Sequence, residues 1–257
     1  MRFTRTFVVT MMFVAGVLCA GRVYAQDFSF STGSPDGQMA AASRPESHGK
    51  IEIEAADDFI LASTEAINGA TFTGLLFHAG PGEIRDVTIE FYRVFPKDSD
   101  TTRMIHVPTR SNSPSDNAFA ESSSADGTLR FSVTRLTPHF QAANSVIDGI
   151  NPFPNQATRG EGPVAGQEVR FDVVFDPPLV LPADHYFFVP QVRLQGEGGN
   201  FLWLSAPRPT TPPFTGDLQM WIRNADLDPD WLRVGTDIVD DTPAPTFNGS
   251  FSLSGNP

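Results

Sequence analysis

The chain has 257 residues and a formal net charge of −12, with 30 acidic residues, 22 phenylalanines and a single cysteine, Cys19. Only two lysines occur, Lys50 and Lys97, and no basic stripe is visible. That composition argues against nucleic acid and anionic membrane surfaces as partners, and one cysteine cannot supply a disulfide framework.

The first 25 residues read as a secretory leader. Arg2 and Arg5 form a positive start, residues 7–20 (FVVTMMFVAGVLCA) form an apolar run, and Val23-Tyr24-Ala25 supplies small residues for cleavage before Gln26. The apolar run is too short to span a bilayer comfortably. Cys19 falls inside it, and Leu18 and Gly16 do not fit a lipoprotein pattern. Export to the periplasm or the extracellular space is therefore expected, with a cysteine-free, still more acidic mature chain that rests on its own core. No second long apolar run follows, so membrane insertion of the mature chain is not expected.

Beyond the leader, short runs alternate with period two between scattered prolines and glycines, which is the strand signature. Residues 26–50 read as an N-terminal extension able to add a terminal strand. From residue 51 to 257 the pattern reads as one β-sandwich domain. KIEIEA alternates Ile51 and Ile53 with Glu52 and Glu54; DVTIEFY sets Val87, Ile89 and Phe91 against Thr88, Glu90 and Tyr92. LRFSV turns Leu129, Phe131 and Val133 inward, and EVRFDVVF does the same with Val169, Phe171, Val173 and Phe175. HYFFVPQVRL places Tyr186, Phe188, Val192 and Leu194 on a core side; its other side runs from Phe187 and Val189 to polar Gln191 and Arg193. DFSFSTG and GSFSLSG, near the two ends, look like a closing pair of strands. The best helical candidate is the short QAANSVIDGI, residues 141–150. Two polar stretches, 97–128 and 138–166, read as long loops. The fold class is all-β: an antiparallel two-sheet sandwich of jelly-roll type with two long loops and little helix.

The set ADDFIL, INGATFTGLLF, VTIEFYRVFP, LPADHYFFVPQV, FLWLSAP and DPDWLRVGTDI resembles a family of exported bacterial "ADDF" proteins with a jelly-roll-like body. Some relatives carry C-terminal surface-sorting tails. The resemblance spans roughly residues 27–254 and implies the fold and the export route. It implies no catalytic residue, because the family has no established activity. The ending FSLSGNP departs from the tailed relatives.

Strand phase places Trp203, Trp221 and Trp231 opposite their aliphatic neighbours, with Gln219, Arg223 and Arg233 beside them. Indoles of this kind stack on the C–H faces of sugars while polar neighbours bond the hydroxyls, so carbohydrate, such as a polysaccharide or cell-envelope glycan, is the favoured ligand class. Tryptophan is also highly buried on average, and the 97–128 stretch offers a cover for the same face. NADLDPDW sets Asp226, Asp228 and Asp230 at alternate positions, a pattern that admits a structural calcium ion though it does not fit an EF-hand. No cofactor is required by any motif. Ser-elbow and H-E-x-x-H signatures are missing, adjacent Asp184 and His185 point to opposite faces of a strand, and His78, His106, His139 and His185 are scattered. The expected role is a non-enzymatic binding or structural module. A hydrolase or lyase using Asp and Glu, and an inert envelope component, are the two alternatives.

Overall fold

The computed structural model describes residues 27–150, 157–208 and 218–256. The expected leader, with Cys19, lies outside the described residues. Along the chain the strands are β1 (Phe28–Ser31), β2 (Met39–Ala42), β3 (Ile53–Leu61), β4 (Glu65–Phe77), β5 (Ile84–Val94), β6 (Pro114–Ser123), β7 (Leu129–Ala142) and β8 (Asn144–Val146). They continue with β9 (Val164–Leu181), β10 (Asp184–Leu194), β11 (Asn200–Ala206), β12 (Trp221–Asn224), β13 (Leu232–Arg233), β14 (Asn248–Gly249) and β15 (Phe251–Asn256). A 3₁₀ turn at Pro81–Glu83 and a π-helical turn at Val234–Val239 are the helical pieces among the described residues.

Two sheets pack face to face, as the alternation predicts. In the larger, β4 is the spine. β9 runs along one side of it with β7 beyond, while the other side is shared by β15–β1 and by β11–β2–β8. The smaller sheet has the order β13–β12–β3–β10–β5–β6. Pairing is antiparallel except between β2 and β8. The terminal strands do close on each other, Phe28–Ser31 against Ser252–Gly255. The segment before residue 51 contributes two strands, β1 and β2, not one.

The core is built by the phases read from sequence. Val169, Phe171, Val173 and Phe175 are buried, and Phe171 stacks on Phe72 at 4.5 Å between ring centres. From the smaller sheet Phe91 and Phe188 meet them; Phe188 lies on Phe251 at 4.8 Å. Stacked and edge-to-face rings at these separations add to simple area burial.

Residues 141–150 are not a helix. They finish β7 and form β8, because Ser145 and Val146 pair with Ala40 and Ala41 and so satisfy their backbone in the sheet. The two expected long loops are shorter than their polarity suggests. Serine-rich 114–123 is β6, whose pairing with β5 depends on backbone, not on apolar side chains. Of the MIHV stretch only Val107 is buried; Met104 and Ile105 stay exposed.

Candidate functional site

The three tryptophans do not share an exposed face. Trp203 points into the core between the sheets, edge-on to Phe188 and Phe251, and its indole N–H donates to the Ser250 carbonyl at 3.1 Å. Strand β11 is buried on both faces, so the aliphatic side of FLWLSA gives no guide to the outside. Trp221 and Trp231 do lie on the outer face of the smaller sheet, but they are 1% exposed there. With Ala56, Tyr92, Phe187 and Val189 they form a second apolar cluster. The stacking platform expected from sequence is therefore a packed layer, and the 96–113 segment and the turn 225–230 close over its edge by meeting at Asp230, beside Trp231.

Ionic contacts fix that cover. Trp231 donates its N–H to the Ser115 carbonyl at 3.3 Å. Asp230 accepts the His106 backbone N–H at 2.7 Å and pairs with Arg103 at 2.5 Å. Asp116 receives Arg103 at 2.9 Å and Arg110 at 2.6 Å. Burial pushes the Asp116 carboxyl up, but the Arg103 fork, the Asp100 N–H and the nearby arginine charges overcome it and hold the group below its ordinary range.

The predicted polar partners lie on or next to β12 and β13, and the two arginines are engaged internally. Arg223 is buried, donates through Nε to Glu54, reaches the Tyr92 hydroxyl at 2.8 Å, and pairs with Asp228 at 2.8 Å. Its guanidinium also lies 4.3 Å from the centre of the Trp231 ring. Arg233 grips Asp237 with both arms of its fork, at 2.7 and 3.0 Å. Gln219 is half-buried at a positive φ of 64°.

The three alternating aspartates do not converge either. Asp226 is exposed, Asp228 is held by Arg223, and Asp230 is held by Arg103 and His106. Among the described residues, no group of three His, Cys, Asp or Glu side chains could hold a metal ion, and the four histidines stay apart. His185 does find an aspartate, but across the strands: its Nε2 lies 2.6 Å from Asp58 Oδ2. Adjacent Asp184 instead pairs with Lys97 at 2.6 Å.

Among the described residues, the other outer face, that of the larger sheet, is left largely uncovered. Its register builds cross-strand rows of short polar side chains. One row is Ser31–Ser252–Thr71–Asp172–Ser132, running through five strands from β1 to β7. A second, more mixed row is Ser29–Ser254–Gly69–Val174–Arg130, and a third runs from buried Thr73 through Arg170 to Thr134. Strand spacing puts neighbours in a row about 4.8 Å apart, and successive rows about 6.7 Å apart. Thr71 and Ser252 share a hydrogen bond of 2.6 Å, and Arg170 leans on Asp172 at 3.2 Å. Two adjoining depressions of about 280 and 480 Å³ lie on this face, both lined by Thr71 and Ser252. Leu136 borders one and Val174 the other, 46% and 51% exposed, so each depression has an apolar edge. Burial raises the Glu168 carboxyl in the first depression above its ordinary range.

This face escaped the sequence reading although its signal was present. FSFS, FSLS, ATFT and LRFSVT alternate apolar with Ser or Thr, which sets small hydroxyls on the outer phase. No protein-family profile and no curated protein matches the chain.

Proposed function

We propose that the protein is an exported, non-enzymatic β-sandwich module that binds carbohydrate, such as a polysaccharide or cell-envelope glycan, on the bare outer face of its larger sheet. The row Ser31–Ser252–Thr71–Asp172–Ser132 carries the reading. Serine and threonine hydroxyls both donate and accept, as sugar hydroxyls do, and a carboxylate adds acceptors in mid-row. Val174 and Leu136 offer apolar contact for the C–H faces of a ring. The leader-like N-terminus and the resemblance to exported proteins support the location.

The hydrolase alternative finds less support on the same face. Glu168 and Asp172 are four residues apart on β9, about 13 Å along an extended strand. Glycoside cleavage needs two carboxyl groups within about 5–9.5 Å. The carboxylates of the opposite face that stand closer together, Glu54 and Glu90, are engaged with Tyr92 and Gln191.

The test is pull-down and affinity electrophoresis on a panel of neutral and acidic polysaccharides. The wild type is expected to be retained by at least one polymer, and Asp172→Ala to weaken retention roughly tenfold, as loss of a charge-assisted contact would. Failure of the wild type to bind any polymer in a broad panel would sink the reading.

A further inference from the structure

The cover of the smaller sheet rests on an unusual balance of charge. Glu54 on β3 and Glu90 on β5 both meet the Tyr92 hydroxyl, at 2.8 and 3.5 Å. Gln191 on β10 joins the group through its amide nitrogen, 3.1 Å from Glu52 and 3.2 Å from Glu90. Glu121 on β6 stands opposite Glu90 in the sheet register. Against four carboxylates, Glu52, Glu54, Glu90 and Glu121, there is one cation among the described residues of the cluster, Arg223, and its fork is already held by Glu54, Tyr92 and Asp228. Two adjacent carboxyl groups with so little compensation cannot both ionise at low cost, so one retains a proton.

We propose that a single proton held by Glu90 beside Glu54 latches the cover of the smaller sheet, and that its loss at alkaline pH loosens residues 225–230 and admits water to Trp221 and Trp231. The connection is direct: Arg223 links Glu54 to Asp228, lies on Trp231, and reaches the Asp116 carbonyl of β6 at 3.5 Å, where the Asp116 carboxylate holds Arg103 of the cover. A second negative charge at Glu90 repels Glu54 and competes for the guanidinium that joins these parts.

Burial first, and the Glu54 charge second, push the Glu90 carboxyl up to about 9. In the unfolded chain a glutamate titrates near about 4.3. The folded protein then binds the proton more tightly than the unfolded one. Stability from this group is complete below about pH 4.3 and declines as pH rises toward the folded value, by at most tenfold in the unfolding constant per pH unit.

Carbon-13 NMR of the glutamate carboxyls, recorded alongside acrylamide quenching of tryptophan fluorescence over pH 5–10.5, tests the proposal on the wild-type protein. The expected result is one glutamate carboxyl titrating above pH 8, with quenching that rises over the same interval. Glu90→Gln, which fixes the uncharged state, should abolish that titration step and flatten the quenching, whereas exposed Glu121→Gln should leave both nearly unchanged. Every glutamate titrating in the ordinary range would overturn the proposal. So would quenching that rises equally in wild type and Glu90→Gln. If Glu90→Gln fails to fold, the wild-type titration and quenching still decide it.

Discussion

The two outer faces of this sandwich solve opposite problems. The smaller sheet carries two indoles, a phenol and several carboxylates outward in a buried cluster, and arginines join the 96–113 segment and the turn 225–230 at its edge. The larger sheet carries serine and threonine outward and leaves them in contact with solvent. The residues that look functional in sequence, large aromatics beside charges, are the ones the fold packs away. The residues that look like filler form the ordered surface. Side-chain size explains the difference: an exposed tryptophan layer would leave a large apolar area in water, whereas hydroxyl rows are already solvated.

That contrast can be broken most severely at Arg223. Arg223→Ala leaves Glu54 buried without its cation, and about 3–5 kcal/mol of stability is expected to go, measured by urea unfolding. A loss under about 1 kcal/mol would mean the cover does not depend on this ion pair. Next in size is Gly249→Ala. A Cβ there would stand 2.1 Å from the Trp203 ring, so the core must shift, at an expected cost of about 1–3 kcal/mol. On the bare face, Ser252→Ala is expected to stay within about 0.5 kcal/mol of wild type by the same unfolding measurement, since Thr71 can turn its hydroxyl to water. The smallest expected effect is from a chelator. With Asp230 held by Arg103 and Asp228 by Arg223, adding EDTA should leave the melting temperature unchanged, and a clear drop would reinstate a bound cation.

Acid should act on the cover from the other side. Asp116 is held below its ordinary value by Arg103, so its contribution is present above about pH 3.9 and is lost as pH falls through the lower folded value. Asp116→Asn is therefore expected to flatten the acid limb of a stability curve while leaving the alkaline limb in place.

The sandwich was legible because alternation is a local property. Val169 to Phe175 had to share a face, and the large buried rings follow from that periodicity. The closing pair β1–β15 was legible from the likeness of DFSFSTG to GSFSLSG at the two ends. Burial of the outer phase was not, because it depends on where distant chain returns: Ser115 beneath Trp231, His106 beside Asp230 and Arg223 on Glu54 are contacts across more than a hundred residues of sequence. HYFFVPQVRL shows both levels in one strand. Its phase was read correctly, and Phe187 and Val189 do run under a cover toward exposed Arg193. Its histidine, however, pairs with Asp58 of the neighbouring strand, which only the register reveals. The helix expected at 141–150 failed because a three-residue parallel pairing overrode a weak local preference.

Affinity for a polysaccharide that retains the wild type, compared between Asp172→Ala and Trp221→Phe, bears most directly on the central claim. Both variants should first be shown to unfold in a single transition. The account predicts that Asp172→Ala lowers affinity about tenfold while Trp221→Phe, under its cover, leaves it unchanged. The opposite order, with Trp221→Phe losing binding and Asp172→Ala retaining it, would contradict the assignment of the bare face as the site.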